Sequence, residues 1–412
     1  MSGMTLNAAI SATSAEPRAR RSVPLGEFGV IYFGNDWFAE NRTSSRHVAE
    51  HLAQRTTVLY IDVPGLRAPK ANRRDVLKLC RKLLSALRRP TRIGERLWHL
   101  SVPQIPFRRL GSVRRLNLAI GRFLVGRAVR GLGFTRTISW FVVPHAGSLA
   151  RAFHEAAVIY YCIDDYAALP DVDGPLVANM DARLARDADQ VFVASSRLLE
   201  EKRQLNSTTM LAPHGVDVAL FQKASDPQLP IPDAARALAH PIIGFFGLIE
   251  AWIDLDLIGD LAERRPDWTF LMVGRVAVDT GRLKGMPNIR FVGPQPYRSL
   301  PNWAKTFDVA IIPYRSTRQV LNSAPLKLRE YLATGKPVVA VPLPDIERFA
   351  GLVRTAHGTE EFMREIEVAL RSDSASDRAR RMDATATMTW DARVAEVVDI
   401  VEYRLGQKEQ PR

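Results

Sequence analysis

The sequence predicts an α/β protein made of two doubly wound, Rossmann-like domains that face a cleft. Three observations carry the prediction. Short runs rich in Val, Ile, Phe and Tyr alternate with segments of helical character, the pattern of a parallel sheet covered by helices on both faces. The alternation is interrupted once, by a stretch rich in Pro, Asp and Ala at residues 222–240, and then restarts. At 412 residues the chain is long enough for two domains, each with its own core.

In the first half, strands are expected at 30–33, 57–61, 137–143, 157–162 and 190–194, with helices at 44–54 and 181–188. The strands run into Gly34-Asn35-Asp36-Trp37, Pro144-His145, Asp164-Asp165 and Ser195-Ser196. Ligands of open α/β sheets bind beyond these C-terminal strand ends. In the second half, strands are expected at 241–246, 269–273, 289–292, 309–312 and 337–341, and helices at 255–264, after Pro325, and at 391–405. The expected organisation is a disordered tail (1–22), an N-terminal domain (23–221) carrying a basic segment (67–130), a linker (222–240), a C-terminal domain (241–389), and a closing helix and tail (390–412).

Composition narrows the function classes. The chain is 46% hydrophobic and 25% charged, as a globular protein is. No run approaches the roughly 18 apolar residues of a membrane-spanning helix. The first 22 residues are rich in Ser, Ala and Arg and lack the apolar core of a secretory signal. The two cysteines, Cys80 and Cys162, cannot build a disulfide framework or a zinc site, which fits a reducing cytoplasm.

The net charge of +13 is concentrated. Residues 67–130 hold 18 Lys and Arg against only Asp75 and Glu95, so the whole excess lies there. Within it Val76, Leu77, Leu79, Leu83, Leu84 and Leu87 recur at helical spacing among basic residues. Such a basic amphipathic helix suits an anionic membrane surface. A solvated basic helix is the plainer reading. Nucleic acid is the third, disfavoured because no binding motif or aromatic platform accompanies the charge.

The densest signal is Ser323-Ala-Pro-Leu-Lys-Leu-Arg-Glu-Tyr-Leu-Ala-Thr-Gly-Lys-Pro-Val-Val-Ala340. A small-residue loop opens a helix that stops at Gly335 before a buried strand. A helix N-terminus attracts anions through its unpaired N–H groups and dipole. Lys327 in the first turn adds a point charge for a diphosphate. Glu330 can accept two ribose hydroxyls. The segment resembles the donor-binding segment of GT-B glycosyltransferases. That resemblance extends over about residues 28–405, with Pro213-His-Gly-Val-Asp217 similar to a turn that ends the first domain in such enzymes, where His214 replaces the common Asn. Tyr160-Tyr-Cys-Ile-Asp-Asp-Tyr166 and Trp252-Ile-Asp-Leu-Asp256 are similar to bacterial glycosyltransferases of exopolysaccharide and teichuronic acid synthesis, including the xanthan-type glucuronosyltransferases.

The resemblance implies transfer of a sugar from a nucleotide-diphosphate sugar, with UDP the default and GDP the alternative, to a lipid-linked or polysaccharide acceptor at the cytoplasmic membrane face. Many retaining members carry a second Glu eight positions before the ribose ligand. Here Asn322 stands in that place, which favours an inverting outcome. An inverting transfer needs a base for the acceptor hydroxyl; Asp164 is the first candidate and Asp165 the second. Ser323, Pro325, Leu326 and Lys327 are expected around the diphosphate, with Gly247 allowing close backbone approach. Arg275 is expected at a phosphate or the base, Glu330 at the ribose, and Val292 and Tyr297 at the nucleobase. Asn35, Trp37, Arg42 and His145 are expected to meet the acceptor. Asp171-Val-Asp173 lies in a Pro-flanked loop and Asp254-Leu-Asp256 opens a helix, so neither stands in the context of a metal-binding Asp-x-Asp. No metal and no cofactor beyond the nucleotide sugar is expected. The alternatives are a sugar-nucleotide epimerase on the same scaffold and a non-catalytic scaffold of a polysaccharide assembly complex.

Overall fold

The computed structural model describes residues 22–39, 42–63, 89–105 and 110–409. The expected tail and the apolar-basic periodicity at 76–87 lie outside these residues.

The first unit is an eight-stranded sheet in the order β3-β4-β2-β1-β5-β6-β7-β8. Its strands are β1 (Gly29–Gly34), β2 (Val58–Asp62), β3 (Thr91–Arg92), β4 (Leu97–Ser101), β5 (Thr137–Phe141), β6 (Ala157–Cys162), β7 (Gln190–Val193) and β8 (Met210–Leu211). Every pairing is parallel except β3 with β4. Every residue of β1, β2, β5, β6 and β7 is buried, as expected where helices cover both faces. Helices α1 (Ser44–Leu52), α2 (Gly111–Gly131), α3 (Gly174–Asp187) and α4 (Ser196–Arg203) connect the strands. Helix α3 starts seven residues before the predicted 181, because Asp173 accepts a bond from the Leu176 N–H and Pro175 sits in the first turn.

The second unit is a six-stranded parallel sheet in the order β11-β10-β9-β12-β13-β14. It comprises β9 (Ile242–Phe246), β10 (Thr269–Val273), β11 (Ile289–Gly293), β12 (Val309–Ile312), β13 (Val338–Ala340) and β14 (Arg354–Thr355). Its helices include α5 (Leu255–Arg264), α6 (Arg318–Asn322), α7 (Leu326–Thr334), α8 (Gly358–Ser372) and α9 (Ala375–Thr385).

The linker and the closing helix are both packed into the units. Residues 222–240 are not a loose tether. Phe221, Ala224 and Ala235 are buried in the second unit's core, and the Lys305 ammonium donates to the carbonyls of Asp226, Pro227 and Leu229 at 2.6–2.9 Å. The last helix, α10 (Trp390–Lys408), packs on the first unit. Trp390, Val394, Val398, Val401 and Leu405 join the core that holds Tyr32 and Trp140. At its far end the N–H of Leu25 donates to Glu402 Oε1 at 2.7 Å, and Lys408 Nζ donates to the Ala156 carbonyl at 2.9 Å. Burial of each large apolar side chain contributes about 1.5–3 kcal/mol, so this helix fixes the second unit's C-terminal end against the first sheet.

Direct bonds also join the units across the cleft. Asp165 accepts from Arg318 Nε and Asn322 Nδ2, both at 2.8 Å, and Ser195 Oγ donates to the Asn322 carbonyl at 2.6 Å.

Candidate functional site

A cleft of about 460 Å³ opens between the C-terminal ends of the two sheets. On the second unit's side it is walled by the start of α7 and by the loops after β9 and β10. Helix α7 opens at Pro325 with no side-chain cap; the Leu328 N–H bonds back to the Pro325 carbonyl at 3.2 Å, and the N–H groups of Leu326 and Lys327 precede that first bond. Ser323, Pro325, Leu326 and Lys327 all line the cleft. Lys327 Nζ donates to Glu330 Oε2 at 2.8 Å and stands 5.0 Å from the Phe246 ring centre. Glu330 is 5% exposed and lies one step behind the lysine. The helix stops at Gly335, whose φ of 76° is left-handed, and Arg381 donates to the Gly335 carbonyl.

Gly247 and Gly274 bring two strand-end loops into backbone contact. A Cβ on Gly274 would stand 1.8 Å from the Gly247 carbonyl oxygen, and both residues have φ near 145° (149° and 143°). That region excludes side chains, so the backbone comes up to the cleft bare. Arg275 follows on the lining. Val292 does not line the cleft; its side chain packs on the second core and its carbonyl accepts from Gln295, which does line it.

On the first unit's side the lining includes Asn35, Arg42, Asp164, Tyr166 and His214. Asp164 is half-buried. Its carboxylate accepts from the Asp165 N–H at 2.9 Å and from Gln319 Nε2 of α6 at 3.4 Å. Desolvation pushes its carboxyl up to about 6. Asp165 points the other way, into the Arg318–Asn322 bonds that tie the units together, and is absent from the lining.

Arg42 is paired with Glu50, and its guanidinium lies 5.3 Å from the centre of the Tyr297 ring. Tyr297 also packs edge-on against Phe221.

Trp37 and His145, expected at the acceptor, do not line this cleft. Trp37 is buried in the first core between the Tyr60 ring and the Arg46 guanidinium, and its backbone N–H donates to Asp62 Oδ1 at 2.9 Å. His145 follows β5 into a separate cavity of the first unit. Strand ends on one sheet edge share a direction, but neighbouring loops can turn to opposite sides of a helix layer.

Some lining residues had no sequence signal. Gln319 reaches Asp164 only because α6 packs across the cleft. His214, read as a turn residue, is 4% exposed and lies in the lining beside the Trp390 ring. His47 of α1 stacks on the same ring at 4.7 Å. Burial, then the neighbouring Arg42, holds His47 down to about 2; burial, then Arg329, holds His214 down to about 3. Unfolded, each takes a proton near pH 6.5, and folded it does not. Their contribution to stability is therefore complete above about pH 6.5 and is lost as pH falls, by up to ~1.4 kcal/mol per pH unit for each. His214→Asn is expected to flatten this acid limb, as read by urea midpoints between pH 7.5 and 5.5.

Residues 237–372 match the family described as glycosyl transferases group 1. That match lies in the second unit, and the two facing sheets have the arrangement of a GT-B fold. Sucrose-phosphate synthase from Thermosynechococcus elongatus superposes with a TM-score of 0.65 at 14% identity, covering 91% of this chain and 98% of that one. HepE from Anabaena, in complex with UDP and glucose, superposes with a TM-score of 0.62 at 14% identity over 90% and 99%. These likenesses concern the fold alone. In sequence, the chain is similar to the putative teichuronic acid biosynthesis glycosyltransferase TuaH of Bacillus subtilis, at 29% identity over 229 residues. That match spans 52% of this chain and 57% of the relative's length. The matched stretch, 237–372, contains the Gly247 and Gly274 loops and all of α7. Among the described residues, no group of three or more His, Cys, Asp or Glu is placed to hold a metal ion, and no helix is long and apolar enough to cross a membrane.

Proposed function

We propose that the protein transfers a sugar from a nucleotide-diphosphate sugar, with UDP as the nucleotide, to a lipid-linked or polysaccharide acceptor. The setting is exopolysaccharide or cell-envelope glycan synthesis at the cytoplasmic membrane face. The observation that carries the reading is the wall of the cleft. The uncapped first turn of α7, Lys327 and the bare Gly247–Gly274 backbone meet there, a combination suited to a diphosphate. Glu330, held behind Lys327, takes the ribose hydroxyls, and the Tyr297 region holds the base. TuaH, by its name a teichuronic acid glycosyltransferase, supports the envelope setting; HepE with UDP supports the nucleotide. The basic segment 67–130 supports a peripheral position on an anionic membrane surface.

Asp164 acts as base. It faces the donor wall from the first unit, and a carboxyl near 6 is ionised at neutral pH yet basic enough to accept a proton. It takes the proton of the acceptor hydroxyl as that oxygen bonds to the anomeric carbon. The bond to the diphosphate oxygen breaks, and Lys327 with the helix N-terminus stabilises the leaving charge. The transfer is inverting, with Asn322 where a retaining member has Glu; Asn322 is buried and spends its amide on Asp165. No metal is needed for this arrangement, so chelation with EDTA is expected to leave the rate unchanged.

Calorimetric titration with UDP and GDP tests the donor site. Wild type is expected to bind UDP without added metal, and Lys327→Ala and Glu330→Ala each to weaken it by roughly 10- to 100-fold, as loss of a charged hydrogen bond implies. A folded protein that binds neither nucleotide at millimolar concentration would turn the reading toward a non-catalytic scaffold.

A further inference from the structure

The second cavity, also about 460 Å³, lies in the first unit between the start of α2, the loop after β5 and helix α3. Among the described residues its lining holds three arginines, Arg114 and Arg115 from α2 and Arg183 from α3, and no Asp or Glu. Asn179, Ser148 and His145 add polar groups around them. Asn117 fixes one side by bonding both the N–H and the carbonyl of Ile105, at 2.7 and 2.9 Å. Arg183 is 78% exposed, and its ion partner Asp187 is one turn along its own helix at 3.5 Å. Three guanidiniums on a concavity whose described lining includes no carboxylate suit an anion, since arginine matches phosphate oxygens in pairs.

Beside this cavity α2 presents an unusual outer face. Leu116 and Phe123, seven residues apart on one stripe, are 50% and 60% exposed, and Leu110 just before the helix is 56% exposed. Arg115, Arg122, Arg127 and Arg130 flank the stripe. Apolar side chains bordered by arginines suit the boundary between headgroups and hydrocarbon.

We propose that this cavity binds the phosphate or diphosphate headgroup of an amphiphile, whose hydrocarbon chain runs along the Leu116–Phe123 stripe of α2. Arg115 and Arg183 grip the anion from two helices. Both cavities open beyond the C-terminal edge of the first sheet, at His145 after β5 and at Asp164 after β6. The inference rests on the acceptor reading above only for its place in catalysis; the anion site stands on its own geometry.

The test is calorimetric titration of the full chain, with UDP saturating the donor cleft, using farnesyl diphosphate, farnesol and inorganic pyrophosphate. Farnesyl diphosphate is expected to bind more tightly than either of the others. Arg115→Ala/Arg183→Ala is expected to weaken it by about tenfold or more while the UDP affinity stays within twofold of wild type. Leu116→Ser/Phe123→Ser is expected to reduce farnesyl diphosphate binding to the level of pyrophosphate. Equal binding of pyrophosphate and farnesyl diphosphate by wild type overturns the amphiphile. Unchanged binding in the arginine variant, or no diphosphate binding at all, overturns the site. Loss of UDP binding in wild type would strike the donor reading and leave the arginine-dependent arm readable.

Discussion

Asp164→Asn is expected to slow sugar transfer by about 10²- to 10⁴-fold, the usual contribution of a positioned general base, without changing nucleotide affinity. The amide keeps the shape of the carboxylate and can still accept the Asp165 N–H, so the turn after β6 should survive. What it loses is the ability to take a proton. The wild-type rate should also fall below about pH 6, where the carboxyl becomes protonated, with a slope of one proton. Initial rates with a labelled UDP-sugar and envelope lipid extract as acceptor read both effects, and the anomer of the product reads the stereochemistry. A variant retaining more than a tenth of the activity would remove Asp164 from the chemistry. Asp165→Asn offers a contrast, because its carboxylate serves Arg318 and Asn322. It should weaken the join between the units and move KM more than the acid limb of the pH profile.

Asp345→Asn is expected to cost about 3–5 kcal/mol of folding stability, the range for breaking a buried ion pair from one side. Arg329 and Asp345 are paired at 2.9 Å with side chains only 3% and 1% exposed. The substitution strands the guanidinium inside, since Arg348 is the other charge beside Asp345 and has the same sign. Arg329 sits on α7 between Lys327 and Glu330, so the donor site should loosen as well. Urea denaturation measures the loss directly. Arg329→Met/Asp345→Leu removes both charges and should recover most of it. A loss under 1 kcal/mol for Asp345→Asn would mean water reaches the pair.

Much of the second unit was legible in the sequence because its signals are local. The helix at 255–264 and the strand at 269–273 have the predicted bounds. Asp254 as N-cap and continuous apolar runs identify such elements without reference to the rest of the chain. The start of α7, its stop at Gly335 and the proximity of Lys327 to Glu330 follow from helical geometry alone. Local patterns did not reveal where a strand-end residue turns. Trp37 went into the core because a large ring there fills space over Tyr60, and His145 followed its loop into another cavity.

The chain's two α/β units, the concentration of its positive charge and the chemistry of the 323–340 segment were determined by the sequence itself. Each depends on composition or on spacings within one element, where period and cap chemistry act over a few residues. The tertiary structure decided which residues share the cleft. It brought Gln319 to Asp164, turned Asp165 toward Arg318, laid α10 on the first sheet and placed His47 and His214 against Trp390. Those contacts join residues far apart in sequence. They are fixed by how two covered sheets and their helices pack together, a constraint that no short window of residues contains.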